Sequence, residues 1–351
     1  MNKYAELLKS IREDHEKRSS GLDKDSKVLI IDGLNSFIRV FSASPIVNDD
    51  GDHVGGYIGF LRSIAAVIRQ FKPTRCIIVF DGRGGSARRK KKFSGYKEGR
   101  AMSTRFNRIE DIAPQSLESE MESMRLQLGK LSGYLECLPL TVISIDNIEA
   151  DDVIAYLTTD VFSKDGSEVI VMSDDKDFLQ LVNNSVSVWR PVEKKFYTPK
   201  EVFEKFKIPS HNFIHYKLFM GDSSDNIKGI NGVGIKTLQS KFPILLEDTV
   251  ISLDELLDFC KSKKDEHKIY NSVLVSEQQL RLNWDLMSLK ELDISVNFKL
   301  LISNLANSPI PKLNSFAFKK LFMLDKAYTV IADLNGWLTN SFSSLDAYSN
   351  K

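Results

Sequence analysis

VMSDDKDF, residues 171–178, sets three aspartates within four positions directly behind an apolar run. Three other runs upstream have the same form: VLII (28–31) before Asp32, CIIVF (76–80) before Asp81, and TVISI (141–145) before Asp146. Each is β-rich, and between them lie stretches of helical periodicity such as GYIGFLRSIAAVIRQF (56–71), residues near 115–132, and ADDVIAYLTTDVF (150–162). This alternation predicts an α/β fold with a central, mostly parallel sheet and helices on both faces. In open parallel sheets ligands bind outside the carboxyl ends of the strands, so the acids that follow the runs should converge on one crevice.

A single aspartate after a strand carries little information, because Asp is a favoured helix N-cap and turn former; Asp146, before NIEADD, fits that plain role. The total is harder to explain that way. EADD adds Glu149, Asp151 and Asp152 in a first helical turn, with Glu149 and Asp152 on one face by their i, i+3 spacing. Asp177 lies two beyond Asp175, and GDSSDN brings Asp222 and Asp225. Two like charges ~6 Å apart repel by roughly 3 kcal/mol at an effective dielectric near 20. Nine carboxylates in one cleft (Asp32, Asp81, Glu149, Asp151, Asp152, Asp175, Asp177, Asp222, Asp225) would therefore rival a domain's whole stability, on the order of 5–15 kcal/mol. Oxygen-only donors in that number point to hard divalent cations, two Mg²⁺ or Mn²⁺ ions, and with them to phosphodiester hydrolysis.

Charge distribution points the same way. Lys+Arg 48 against Asp+Glu 47 gives a formal charge of +1, but the residues from Arg83 to Arg108 hold ten Lys or Arg against one acid, Glu98. This arm, with Arg88, Arg89 and Lys90 at its start, interleaves aromatics with bases as a phosphate-tracking surface does. A second nucleic-acid signal is GINGVGIKTLQSKF (229–242). Gly232 and Gly234 allow close backbone approach to a phosphate, the next helix offers its first amides, and Lys236 and Thr237 lie beside them. The three cysteines, Cys76, Cys137 and Cys260, form no C-x-x-C pair and imply neither a disulfide frame nor a thiolate zinc site. Without an apolar stretch of membrane-spanning length or a signal-type leader, the expectation is a cytoplasmic protein with no membrane partner.

D-G-x-N after the first run, V-F-D after the second, E-A-D-D, D-K-D-F, G-D-x-x-D-N and G-V-G-I-K-T, in this order, resemble the flap endonuclease or 5′ nuclease family over Lys27 to Phe242. Within it the chain is most similar to the tailed-phage type, and SEQQLRLNWDLMSL and NSFAFKKLFM are most similar to T-even phage ribonuclease H. The resemblance implies a PIN-like fold and assigns the nine acids above to metal binding, with Asp32 and Asp81 central to catalysis. Y-K-E-G-R matches the base of a helical arch, which implies that Lys97 and Arg100 touch the scissile phosphate and that Tyr96 lies near the single strand. The glycine cluster corresponds to a helical hairpin that grips duplex, with K⁺ on its carbonyls. The implied substrates are DNA with a 5′ flap, nicked or gapped duplex, and RNA–DNA hybrid. A single-strand-binding protein or sliding clamp is the implied partner of a monomer.

The expected organisation is an N-terminal helical extension (1–26), an α/β nuclease core (27–198) with a basic arch insertion at 83–125, a helical region with the hairpin (199–300) and a C-terminal helical tail (301–351). Asp174 is an acid beyond the resemblance; Asp175 and Asp177 are preferred as ligands because D-x-D followed by an aromatic is the family pattern. A PIN-type ribonuclease on the same sheet leaves Asp222, Asp225 and the glycine cluster without a role, and a catalytically inactive DNA-structure-binding protein is the reading from another class. Zinc on His211 and His215 lacks a third ligand. NDDGDHVGG (48–56) lacks the terminal glutamate of a calcium loop and reads as a turn.

Overall fold

The computed structural model describes residues 26–98, 116–163, 166–290 and 292–349; the expected N-terminal extension and part of the arch lie outside these. The strands are β1 (Lys27–Asp32), β2 (Arg75–Asp81), β3 (Thr141–Ile145), β4 (Glu168–Met172), β5 (Val186–Arg190) and β6 (Lys195–Tyr197). They form one sheet in the order β3-β2-β1-β4-β5-β6, parallel except for the antiparallel edge strand β6. The chain builds outward from β1 to β3, then returns to lay β4 on the other side of β1. Their shared boundary is the topological switch point, where a crevice opens at the carboxyl edge.

The central runs are apolar throughout because both faces of the sheet are buried. Successive residues of β1 alternate, Val28 and Ile30 facing one core and Leu29 and Ile31 the other. Helices α1 (Gly33–Ala43) and α2 (Gly55–Phe71) follow β1; α3 (Ala87–Lys92) and α4 (Leu117–Leu135) follow β2; α5 (Ala150–Tyr156) follows β3. After β6 come α6 (Pro199–Phe206), α7 (Phe213–Met220), α8 (Ile235–Lys241), α9 (Leu253–Ser262), α10 (Lys268–Val275), α11 (Glu277–Met287), α12 (Val296–Ala306), α13 (Ser315–Leu324) and α14 (Leu334–Asp346). Helices α5 to α12 contribute to the Val28/Ile30 core, whereas α1, α2, α4, α13 and α14 contribute to the Leu29/Ile31 core. The result is a mixed sheet flanked by helices on both faces.

Three features go beyond the sequence reading. SVSVWRPVEKKFY (185–197) forms β5 and β6, with Trp189 edge-on to Phe71 and Phe196 tilted against both. Part of the basic arm is a packed helix, α3, whose Arg89 Nε donates to the Leu286 carbonyl at 2.8 Å. The last fifty residues are tied into the core: Phe318 and Phe342 are fully buried, and Phe318 meets Tyr134 of α4 with ring centroids 4.9 Å apart. The NDDGDHVGG turn is held by this tail. Its Asp49 accepts from the Thr329 hydroxyl at 2.7 Å, and Asp50 pairs with Lys326 at 2.8 Å, so those acids serve packing.

Phe318→Ala should therefore cost the whole domain roughly 3–5 kcal/mol, the usual range for truncating a buried phenylalanine. Urea unfolding followed by tryptophan fluorescence reads it; a loss under ~1 kcal/mol would show that the tail is not part of the core.

Candidate active site

Asp32 ends β1 and caps α1, accepting from the Asn35 amide at 3.2 Å and from the Ser173 hydroxyl at 2.9 Å. It caps the helix and at the same time lies at the carboxyl edge of the sheet. It is 6% exposed; burial, reinforced by the charges of Asp175 and Asp81, pushes its carboxyl up to about 7. Asp81 ends β2 and accepts from the Ala150 amide at 2.7 Å, which ties the start of α5 to the neighbouring strand. The crossing is tight: a Cβ on Gly82 would lie 1.7 Å from the Ile145 carbonyl oxygen, so only glycine fits after that acid.

At the start of α5 the three acids divide. Asp151 is raised well above the usual carboxylate range by burial, with Asp175 and Asp32 adding repulsion. Glu149 and Asp152 do share a face, and Arg89 bridges them. It binds Glu149 closely and donates to Asp152 at 2.7 Å, and Arg88 adds a second donor to Asp152 at 2.8 Å. Lys97 reaches Glu149 at 2.5 Å, and the Tyr96 hydroxyl donates to it at 3.2 Å. Burial alone would raise Glu149, but Arg89 and Lys97 outweigh it and hold the carboxyl below its ordinary value. Lys97 adopts φ +56°, a left-handed conformation costly for a residue with a side chain, and its amide donates to the Asp225 carbonyl at 3.1 Å.

After β4 the loop 173–177 folds on itself. Ser173, whose hydroxyl donates to Asp32, accepts from the Asp175 amide at 3.0 Å, and Asp175 accepts from the Asp177 amide at 2.9 Å. Asp177 is pushed up to about 7 by burial and by Asp175, against the pull of Lys217. Lys217, buried on α7, lies 2.5 Å from Asp177 and 2.6 Å from Asp222. Burial works against ionisation of Asp222, yet Lys217 and the Ser224 hydrogen bonds bring its carboxyl down to about 2. Asp225 is buried alongside and is felt electrostatically by Tyr96 and Lys97. Asp174 turns the other way, toward Arg39 and the Val192 amide. Asp146 accepts from the Arg83 amide at 3.0 Å, a loop contact.

Electrostatic coupling thus runs from Asp81 through Asp32 to Asp175 and Asp151, and from Asp175 through Asp177 to Asp222. Among the described residues, no group of three or more acids, histidines or cysteines is drawn closely enough together to hold an ion as placed. Protein cations separate the carboxylates instead. The donor set still suits a hard divalent ion: it is all oxygen, and the buried Asp32 and half-buried Asp151 are pushed toward neutrality, with no described cation within ion-pair distance of either.

The expected nucleic-acid contacts fall into two groups. Lys90, Gly232, Gly234 and Lys236 are exposed, with Thr237 donating to the Gly232 carbonyl at 3.3 Å on the α7–α8 connection. Arg89 and Tyr96 are corrections to a surface role: at 3% and 2% exposure they are internal, committed to Glu149 and, for Arg89, to Asp152 as well. Arg88 also lies on a carboxylate, and Arg100 is outside the described residues. The histidines do not form a zinc pair. His211 and His215 bond separate backbone carbonyls, of Glu247 at 3.1 Å and Ile251 at 2.7 Å, and burial lowers His215 to about 4. Sequence reasoning missed Lys217 and Ser173; a lone lysine in the apolar helix FIHYKLFM, five residues before Asp222, was the available signal for the first.

With this geometry established, residues 27–207, just over half the chain, match the family model described as 5'-3' exonuclease, N-terminal resolvase-like domain. The chain belongs to the 5'-3' exonuclease family. Family members are nucleic-acid phosphodiesterases, and the fold agrees. The chain is 33% identical over 251 residues to DNA polymerase I of Bacillus subtilis, covering 69% of this chain but only 26% of that much longer protein. It is 34% identical over 209 residues to a 5'-3' exonuclease of Aquifex aeolicus, covering 59% of this chain and 66% of the relative. A structure of the bacteriophage T5 flap endonuclease, solved with DNA and metal ions, superposes with TM-score 0.60 at 19% identity, covering 86% of this chain and 99% of that one. No helix among the described residues is long and apolar enough to cross a membrane.

Asp32 gives a signed pH dependence. Its folded value near 7 exceeds the unfolded 3.8, so the folded form holds a proton that the unfolded form has released; stability from this group is full below pH ~4 and is lost as pH rises to ~7. Without divalent ions, Asp32→Asn should be more stable than the parent by a few kcal/mol, about 4 at most, at pH 8, and the gap should close toward pH 4. Urea melts at both pH values check this.

Proposed function

We propose that this chain is a metal-dependent, structure-specific 5′ to 3′ nuclease acting on 5′ flaps, nicked or gapped duplex and RNA-primed strands in replication. The observation that carries this reading is the row of acids Asp32, Asp81, Asp151 and Asp175 at the carboxyl edge of four adjacent strands, linked by mutual repulsion and backed by Asp177, Asp222 and Asp225. Two Mg²⁺ or Mn²⁺ ions would be held there by these residues, directly or through water, with Glu149 and Asp152 behind them. The chemistry supplied by bound divalent ions is activation of water at neutral pH and neutralisation of charge on the attacking and leaving oxygens.

The rest falls to the chain's own groups. Lys97, paired with Glu149 in a strained backbone conformation, would turn to the scissile phosphate, a role that the sequence resemblance also gives to Arg100. Arg89 and Tyr96 hold Glu149 from within. The α7–α8 connection and the first turn of α8, as a helical hairpin, would present Gly232, Gly234, Lys236 and Thr237 to duplex backbone with K⁺ on the connection's carbonyls, and the basic segment, as an arch on a PIN-like core, would admit only a single-stranded 5′ end. In this reading the protein is a monomer of the cytoplasm or phage-infected host, of tailed-phage ribonuclease H type. It works with a single-strand-binding protein or clamp.

Asp175→Asn with Asp177→Asn should abolish cleavage of 5′-labelled flap, nick and RNA-primed duplexes in Mg²⁺ while flap binding in EDTA survives; near-parental rates would refute the assignment. Lys97→Ala should slow single-turnover cleavage by ~10²-fold or more, the scale expected when a transition-state charge contact is lost. A change confined to binding would contradict the proposed contact.

A further inference from the structure

Asp174 is the acid of the SDDKD loop that the cleft does not use, and its surroundings are specific. Its side chain accepts from the Val192 amide, in the β5–β6 turn, at 3.1 Å, and its other oxygen lies 3.6 Å from Arg39 Nε on α1. Its amide donates to the Asn35 side chain at 3.2 Å, and its carbonyl accepts from Arg190 of β5 at 2.8 Å. One residue is therefore pinned from both sides of β4: by α1, whose first turn Asp32 caps, and by β5 with the turn that follows it.

Asn35 connects these contacts to the cleft, since its amide donates to Asp32 while its side chain receives the Asp174 amide. Ser173 does the same from the other flank, joining Asp32 to the Asp175 amide. Asp175 thus projects from a loop anchored on both neighbours, against the repulsion of Asp151 and Asp177, which would otherwise drive it outward. A carboxylate held against like charges needs a rigid support, because the loop could relieve the repulsion by moving.

We infer that Asp174 is a positioning residue: by clamping the loop after β4 to Arg39 and the Val192 amide, it holds Asp175 at the switch point in the place a divalent ion requires. This rests on the reading of Asp175 as a ligand given above. Partners that orient a ligand typically change metal affinity by 10- to 100-fold when removed.

Calorimetric titration of Mn²⁺ into the full-length protein without nucleic acid tests this independently of turnover. Asp174→Ala should weaken Mn²⁺ binding by ~10- to 100-fold with flap binding in EDTA unchanged, and Asp174→Asn, which keeps an acceptor for Val192 but not the charge for Arg39, should fall between. Arg39→Gln should resemble Asp174→Asn, and it keeps the inference testable if Asp174→Ala does not fold. Parental Mn²⁺ affinity in these variants, even with a lowered melting temperature, would overturn the positioning role. Asp175→Asn is the separate control. If it retains parental Mn²⁺ binding and cleavage, the ligand reading itself fails; if it loses both while the Asp174 and Arg39 variants bind normally, only the positioning role fails.

Discussion

The interaction on which the site depends is repulsion among carboxylates concentrated at one edge of a sheet, and the way the chain offsets it. Parallel strands end together, so acids placed at their ends cannot spread apart without breaking the ladder or its caps. The structure answers with cations that come from outside the sheet: the buried Arg89 on α3 and Lys217 on α7, and the half-buried Arg88 on α3 and Lys97 just beyond it. These ion pairs are extensively desolvated, so they contribute less net stability than their geometry suggests, but removing one partner would strand a buried charge. Arms and helices that would otherwise be separate are thereby held to the crevice.

The compensation is uneven, and the unevenness carries the chemistry. Glu149, Asp152 and Asp222 have close cationic partners, while at Asp32 and Asp151 burial and neighbouring carboxylates, Asp175 above all, outweigh any attraction, including that of Lys97 and Arg89 for Asp151, and their carboxyls rise accordingly. A doubly charged ion relieves most repulsion at the second group. In the proposed reading, a phosphodiester entering the cleft gives Lys97 and Arg88 a second anion to choose, so the same cations that offset the carboxylates can recognise substrate. Lys97 holds a φ of +56° with its amide bonded to the Asp225 carbonyl, a conformation its own preference does not favour.

Much of this was legible in the sequence because it is periodic or local. Four of the strands are short apolar runs with acids behind them, and for β1, β2 and β4, buried on both faces of the sheet, that pattern is required, whereas the edge strand β3 alternates buried and exposed residues. Strands β5 and β6 escaped because a brief alternation interrupted by Pro191 and two lysines resembles a loop until Trp189 and Phe196 find Phe71. The acids stand out in the sequence as a group, but which of them face protein cations was not readable. Arg89 meets Glu149 across sixty residues, and Lys217 meets Asp177 across forty, so neither pairing leaves a trace in spacing. For the same reason a run of bases looked like one surface, although Lys90 is exposed and the adjacent Arg89 is internal. Adjacent residues on a helix point about 100° apart, and charge alone does not say which direction is inward.

The boundary of the family match sharpens the point. It ends at residue 207, before Lys217, Asp222 and Asp225, yet Asp177 lies inside it with a carboxyl already pushed toward neutrality. In the matched segment alone, Asp177 would have Asp175 as its neighbour and lose the buried ammonium that now holds it. The helical region beyond residue 207 is therefore part of the site's charge balance as well as a candidate surface for duplex. The same holds on the opposite face of the sheet, where α13 and α14, also beyond the match, close the core over β1 and β2. A sheet whose strands are apolar on both faces cannot end where the motif ends, because each face requires cover and each acid at its edge requires a counter-charge.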